Sequence, residues 1–167
     1  MQLAVAAYAR GDWLEAGRLC GAVLDSDANH FDALHLGGIV AGRAGRTQEA
    51  ADLLERAAAV RGDNALVHYH RGIALADLKR HSEALASYDR AVALRPDNAR
   101  AWNNRGNALA CLGRHAQALE SYDRALRVKP DYAEARLPHC GSDAHPTPKP
   151  PALHGGDRLP AGELPAE

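Results

Sequence analysis

Residues 80–91 read RHSEALASYDRA, and residues 114–125 read RHAQALESYDRA. The two stretches lie 34 residues apart, and residues 65–98 and 99–132 are identical at 18 of 34 positions without a gap. A weaker copy occupies residues 31–64, and a partial copy occupies residues 1–30. Self-similarity at a fixed period of this size indicates a repeat architecture, in which each unit packs only against its neighbours.

Each copy carries the apolar spacing of two amphipathic helices. In the fourth copy, helix A is predicted over residues 99–112, because its apolar residues recur at intervals of three and four. Helix B is predicted over residues 116–128, with an inner face formed by Ala118, Leu119, Tyr122, Ala125 and Leu126. Gly113 lies in the turn between the helices. Pro130 ends the repeat, since proline lacks an amide hydrogen and disfavours helix in the preceding residue.

A small residue recurs at one place in each helix. Helix A has Ala4, Gly38, Gly72 and Gly106 at this place, and helix B has Ala16, Ala50, Ala84 and Ala118. Glycine costs about 1 kcal/mol in a helix interior relative to alanine. Its recurrence therefore predicts close packing, and we expect Gly106 to lie against Ala118 and to tolerate no larger side chain.

The pattern Trp102-x-x-Arg105-Gly106-x-x-Leu109, followed by Ala118-x-x-x-Tyr122 and Pro130, resembles the tetratricopeptide repeat. The copies look most similar to those of bacterial tetratricopeptide repeat proteins and of the N-terminal arm of O-linked N-acetylglucosamine transferases. The resemblance implies an all-α fold, a right-handed superhelix (solenoid) of antiparallel helix pairs over residues 1–136. Its units are a partial repeat at residues 1–30, complete repeats at 31–64, 65–98 and 99–132, and an abortive fifth start at 133–136.

The composition changes at residue 137. Residues 137–167 hold seven of the nine prolines and four glycines, with almost no bulky apolar residue. Such a segment buries too little surface to offset its ordering entropy, so a disordered tail is predicted there.

Composition also narrows the class of partner. The net charge of -1 gives no electrostatic reason to expect nucleic acid.

Three cysteines, Cys20, Cys111 and Cys140, are too few and too scattered for a disulfide framework or a thiolate zinc site. No apolar run approaches the roughly 18 residues that span a bilayer, and the N-terminus lacks the features of a secretory signal. We expect a soluble protein in the cytoplasm.

The chain offers no pattern that favours catalysis. The glycines of residues 37–45 have neither the Gly-Lys-Ser/Thr ending nor the preceding strand of a phosphate-binding loop. His68 and His70 are two residues apart and face different ways on a helix. His139, Cys140, His145 and His154 lack standard metal-ligand spacing. We therefore expect no enzyme activity, no cofactor and no metal.

The resemblance implies that helix A of each repeat lines a concave groove. The residues that would contact a peptide or protein segment there are His35, Ile39, Tyr69, His70, Ile73, Arg100, Asn103, Asn104 and Asn107. Asparagine amides can pair with the backbone of an extended peptide whatever its side chains.

These residues predict a non-catalytic interaction module or scaffold. One alternative is a truncated, substrate-recruiting arm of a glycosyltransferase-like protein, since Asn104 stands where such transferases carry a ladder of asparagines. A further alternative is a structural protein that self-associates through uncapped repeat edges.

Overall fold

The computed structural model describes residues 1–131, which form eight α-helices and no β-strand. In chain order these helices are α1 (Gln2–Ala9), α2 (Trp13–Ser26), α3 (Phe31–Arg43), α4 (Thr47–Val60), α5 (Ala65–Asp77), α6 (His81–Leu94), α7 (Ala99–Cys111) and α8 (His115–Val128). The predicted helices of the fourth copy end or begin within one residue of α7 and α8. The predicted start at residues 133–136 and the predicted tail at 137–167 lie outside the described residues.

The helices stack in chain order into a helical solenoid. Each helix packs on the one before it and the one after it, and α3 also contacts α5, as α5 does α7. The odd-numbered helices therefore stand closest together and form the inner, concave layer, while the even-numbered helices form the outer layer. This arrangement confirms the all-α repeat fold that the 34-residue period predicts.

The turn within each pair depends on one residue with positive φ. Gly11, Gly45 and Gly113 take φ of 80°, 76° and 73°, and Lys79 takes the equivalent place with φ of 62°. Glycine adopts this left-handed conformation without the Cβ penalty that lysine bears. The turn is the same in all four pairs, so the repeat geometry holds Lys79 there despite its side chain.

The turn between repeats is fixed by side chains that bind backbone groups. Asn64 and Asn98 cap α5 and α7 by accepting hydrogen bonds from amides of the first turn. The Trp102 ring nitrogen donates to the Pro96 carbonyl oxygen at 2.8 Å, and the His68 Nε2 atom lies 2.9 Å from the Gly62 carbonyl oxygen. The His68 imidazole and the Trp102 indole thus bond a carbonyl oxygen at the same place in successive repeats. Because a carbonyl oxygen can only accept, the Nε2 atom of His68 is the donor in this bond.

The recurring glycine of helix A faces an aromatic ring of helix B. A Cβ atom built on Gly106 would lie 2.7 Å from Tyr122 Cδ1, and one built on Gly72 would lie 2.7 Å from Tyr88 Cδ1. The close packing predicted at Gly106 is therefore present, and the side chain nearest to it is that of Tyr122. Tyr88 and Tyr122 are buried because the missing Cβ atoms leave room for their rings.

In the first two pairs, other residues stand at the places that Gly106 and Tyr122 occupy in the fourth pair. A Cβ atom on Gly38 would lie 2.6 Å from Leu54 Cγ, so this glycine is also confined. In the first pair, Ala4 and Cys20 occupy the equivalent places, and both are fully buried. Helix A has alanine only where helix B has the small cysteine side chain.

The inner face predicted for helix B is correct at four of its five residues. Ala118, Tyr122 and Ala125 are buried, and Leu126 is half-buried. Leu119 is instead 65% exposed, whereas Leu85, its equivalent in the preceding pair, is only 6% exposed. The difference arises because α7 covers Leu85, and no helix of the described region covers Leu119.

No helix within residues 1–131 combines the length and the apolar character needed to cross a bilayer.

Candidate functional site

The predicted groove residues lie on α3, α5 and α7, the helices of the inner layer. Ile39 and Ile73 are half-buried at equivalent places on α3 and α5, and Asn107 takes the next such place on α7. Arg100 is exposed near the start of α7. The residues at this place of the predicted groove therefore change from aliphatic to polar toward the C-terminal end of the array.

The most connected part of the groove is a histidine pair. His35 Nε2 on α3 and His70 Nδ1 on α5 lie 2.9 Å apart and form a hydrogen bond between adjacent repeats. Burial lowers the pKa of His35 to about 4, against the opposing effect of Asp32. Burial also lowers the pKa of His70 to about 3, and repulsion from the Arg43 guanidinium and from His35 in its protonated form adds to this effect. Both rings are neutral near pH 7, so one donates and the other accepts.

Aromatic rings extend from this pair along the groove. The Phe31 ring lies 5.9 Å from His35, and the Tyr69 ring lies 5.3 Å from His70. Tyr69 also approaches Tyr88 at 6.4 Å between ring centroids. The ring planes are tilted relative to one another, which brings the positive edge of one ring toward the negative face of its neighbour. These rings connect α3, α5 and α6, with Phe31 and Tyr88 buried and His35, Tyr69 and His70 half-buried.

Two of the three predicted asparagines adjoin tyrosine hydroxyls of helix B. The Tyr122 hydroxyl donates to Asn107 Oδ1 at 2.8 Å. Asn104 adjoins the Tyr88 hydroxyl and opposes the rise in the pKa of Tyr88 that burial causes. The amide of Asn107 is thus oriented by the scaffold.

Asn103 does not lie open in the groove as predicted. Its side chain is only 5% exposed, and Oδ1 has no hydrogen-bond partner in the described structure. A buried acceptor without a donor costs about 1–3 kcal/mol. Sequence reasoning placed this residue on helix A correctly, but the helical period alone does not separate the open surface from the repeat junction.

An aromatic and cationic cluster at the N-terminal end was missed by sequence reasoning. The Arg43 guanidinium lies 5.2 Å from the Trp13 ring centroid and 6.0 Å from that of Tyr8. The two rings pack edge to face at 5.0 Å. Tyr8, Trp13 and Arg43 belong to three different helices or turns, and no spacing in the sequence relates them.

Two of the three repeat junctions within residues 1–131 carry an arginine bridge on their outer side. Arg105 donates to Asp89 at 2.6 Å on the preceding repeat and to the Ser121 hydroxyl at 2.6 Å in its own repeat. Arg71 makes the equivalent bonds to Glu55 at 3.5 Å and to Ser87 at 3.1 Å. Each arginine therefore connects two consecutive outer helices.

The described residues do not assemble a metal centre. No three side chains of His, Cys, Asp or Glu converge within residues 1–131. Cys20 is buried, and burial raises the pKa of its thiol, which makes it less nucleophilic at neutral pH.

Two models of known protein families match the C-terminal part of the repeat array. Residues 99–132 match the tetratricopeptide repeat, and residues 74–113 match a second model described as TPR repeat. Together the two matches cover residues 74–132. A search of curated proteins finds no match to this chain.

The helical solenoid is similar to solved structures of MamA. A crystal structure of MamA is 25% identical, covers 81% of this chain and 79% of its own, and has a TM-score of 0.77. A second MamA structure has the same identity and TM-score and is covered over 74% of its length. MamA from Desulfovibrio magneticus RS-1 is 22% identical, covers 79% of this chain and 75% of its own, and has a TM-score of 0.73. The last likeness concerns the fold alone.

Proposed function

We propose that this protein is a non-catalytic interaction scaffold that binds an extended peptide segment in its concave groove. Tetratricopeptide repeats and a MamA-like solenoid support a protein-interaction scaffold. The groove as the binding surface is supported chiefly by the histidine pair and its aromatic neighbours. They hold polar and apolar groups in fixed positions on the inner helices, so little side-chain freedom is lost on binding.

The groove residues suggest how such a segment would be held. Ile39 and Ile73 offer an aliphatic floor for one or two apolar side chains. Asn107 presents N–H donors, and its carbonyl oxygen is already engaged by Tyr122. Carbonyl groups of an extended backbone would accept from these donors, which gives affinity with loose sequence selectivity.

The transferase-arm alternative has less support. It depends on asparagine at one place in helix A, which Asn104 provides, whereas Leu36 and His70 stand at the equivalent places. His70 is moreover engaged with His35. Self-association through the repeat edges remains a second proposal, and the exposed Leu119 favours it.

The test is selection of displayed 12-residue peptides on the full chain, followed by affinity measurement with variants. Ile73→Glu puts a charge on the groove floor and should weaken the selected peptides at least about tenfold. Ala86→Glu puts the same charge on an exposed place of the outer helix α6 and should leave affinity unchanged. Failure to select any peptide, or equal binding to Ile73→Glu, would refute the groove as the binding surface.

A further inference from the structure

The end of α3 holds an arginine that lies against two aromatic rings. We call Tyr8, Trp13 and Arg43 the Arg43 cluster. The Arg43 guanidinium lies 5.2 Å from the Trp13 ring centroid and 6.0 Å from the Tyr8 ring centroid. Arg43 is exposed and forms no ion pair within residues 1–131. The rings thus hold the guanidinium in place, while no carboxylate of the described chain binds its N–H groups.

The acidic side chains at the starts of the two neighbouring outer helices are engaged elsewhere. Asp12 accepts a hydrogen bond from the Glu15 amide at 3.1 Å. The Glu15 carboxylate pairs with Arg18 at 2.8 Å, and the Glu49 carboxylate pairs with Arg46 at 2.7 Å. The positive charge of the Arg43 cluster is therefore not neutralised by these groups.

The rings of the cluster carry two more polar groups. Neither the Tyr8 hydroxyl nor the Trp13 ring nitrogen forms a hydrogen bond within the described part of the chain, and both residues are half-buried. The Trp102 ring nitrogen, by contrast, donates to the Pro96 carbonyl oxygen. A guanidinium and an indole can only donate, and a tyrosine hydroxyl can also donate. The ligand that complements such a set is an acceptor with negative charge.

The Arg43 cluster departs from the repeat pattern at all three of its residues. Arg43 stands where the other repeats have Ala9, Asp77 and Cys111. The equivalents of Tyr8 are Gly42, Ala76 and Ala110, and those of Trp13 are Thr47, His81 and His115. Residues that the packing of repeats requires recur in each unit, as the glycine of helix A does. Three exceptions that meet at one place indicate a local task outside that packing.

The cluster adjoins the predicted groove. Arg43 follows Ile39 by one helical turn, so the two residues lie on the same side of α3. Val5 on α1 stands at the place that Ile39 and Ile73 occupy in their repeats, and it is 40% exposed. This line of aliphatic residues extends from α5 past α3 to α1. An extended segment that follows it would pass the cluster in both directions, so a side chain, not a chain end, would meet Arg43.

We propose that the Arg43 cluster binds the carboxylate of an aspartate or glutamate side chain within the segment that occupies the groove. This inference rests on the proposed function and adds the chemistry of the segment. The planar guanidinium can donate two parallel hydrogen bonds to one carboxylate. Because the rings already limit the motion of Arg43, little side-chain freedom is lost when the carboxylate binds.

The test uses the full chain and the 12-residue peptides selected by display, labelled and made with amidated C-termini. We expect these peptides to share an aspartate or a glutamate. Its replacement by asparagine or glutamine should weaken binding at least about fivefold in fluorescence anisotropy, because the charged hydrogen bonds are lost.

Variants of the chain assign this effect to Arg43. Arg43→Gln should weaken binding of the acidic peptide at least about fivefold and leave the affinity of the amide-substituted peptide unchanged. Arg43→Glu should make the amide-substituted peptide the tighter ligand. Arg90→Gln, the same change at an exposed place of the outer helix α6, should alter neither affinity. Circular dichroism checks that each variant retains its helical content.

The outcomes separate this proposal from the groove proposal. Peptides that lose affinity to Ile73→Glu but share no acidic residue, or that bind equally to Arg43→Gln, overturn the carboxylate site and leave the groove intact. If a free C-terminus strengthens binding only when Arg43 is present, the ligand is a chain end, and the assignment to a side chain is wrong. Failure to select any peptide overturns both proposals.

Discussion

At the scale of single residues, the space between the two helices of a repeat is set by Gly106. Replacing Gly106 with leucine should lower the free energy of unfolding by about 1–3 kcal/mol, because the new side chain collides with the buried Tyr122 ring. Urea denaturation followed by circular dichroism measures this change.

Gly42 provides a matched control in another helix A. A Cβ atom there would meet only Ala50 Cβ at 3.7 Å, which is an ordinary contact. Gly42→Leu should therefore leave stability unchanged or raise it by up to about 1 kcal/mol, as leucine favours helix over glycine. Equal destabilisation by both substitutions would show that the Gly–Tyr packing is not the cause.

The histidine pair predicts an acid sensitivity. The pKa values of His35 and His70 in the folded protein, about 4 and about 3, lie below the ordinary value of 6.5. Below pH 6.5 the unfolded chain therefore binds more protons than the folded chain, and stability falls as pH decreases toward 4 and 3. Above about pH 6.5 both histidines are neutral in the folded and the unfolded chain, so the pair no longer lowers stability. Asp32 beside His35 opposes this effect, and Arg43 beside His70 adds to it.

A double variant separates the contribution of the histidine pair to acid sensitivity from that of the carboxylates. His35→Tyr with His70→Asn copies Tyr69 and Asn104, the residues at the same positions of the next junction. Its melting temperature should fall less between pH 7.5 and pH 4.5 than that of the original chain. If the two proteins lose the same amount, the pair does not contribute to acid sensitivity.

The limits of sequence reasoning are clear at this scale. The 34-residue period places Gly106, Tyr122 and Ala118 in two facing helices, but the offset between those helices decides which side chain the glycine meets. Likewise the period places Asn103 on helix A, while its burial depends on the angle of that helix relative to the next repeat. Neither the offset nor the angle is encoded in a spacing along one chain.

At the scale of elements, Lys79 is the one lysine among four equivalent turn residues. Lys79→Gly should raise the free energy of unfolding by about 1 kcal/mol, because glycine bears no penalty at φ of 62°. Lys79→Ala removes the same side chain but keeps the Cβ atom, and it should give no such gain. Thermal melts of both variants at equal concentration provide the comparison, and a gain from alanine would contradict the conformational explanation.

The helices themselves were predictable because their determinants are local. In the fourth copy, apolar spacing, the turn residue Gly113 and Pro130 bound the helix pair, and the observed ends differ from the predicted ones by one residue. The Arg43 cluster with Tyr8 and Trp13 was not predictable, because it joins residues whose proximity depends on the stacking of whole pairs.

At the scale of the whole molecule, stability should differ between the two ends of the array. Helix α1 has only 8 residues and buries just Ala4 and Ala7, whereas α5 and α6 are enclosed by neighbours on both sides. Nearest-neighbour packing makes a terminal unit the first to open. We expect hydrogen exchange to be fastest in α1, before α2, and slowest in α5 and α6. Uniform exchange along the eight helices would indicate a single cooperative unit instead.

The need for a neighbouring helix also explains why the burial predicted for Leu119 was wrong. Periodicity assigns this residue to the inner face of helix B, and that assignment holds wherever another helix follows. Whether a neighbour is present is a property of the assembly, not of the residue pattern.

The two tryptophans make the two ends of the solenoid optically distinct. Trp13 lies beneath the Arg43 guanidinium and packs edge to face with Tyr8 of α1, and Trp102 donates its ring N–H to the Pro96 carbonyl oxygen in the last junction. Because indole emission responds to its immediate polar surroundings, a chain with Trp102→Phe reports by fluorescence only on the first pair. A chain with Trp13→Phe reports only on the last, so the order in which the ends loosen can be followed with intrinsic light alone.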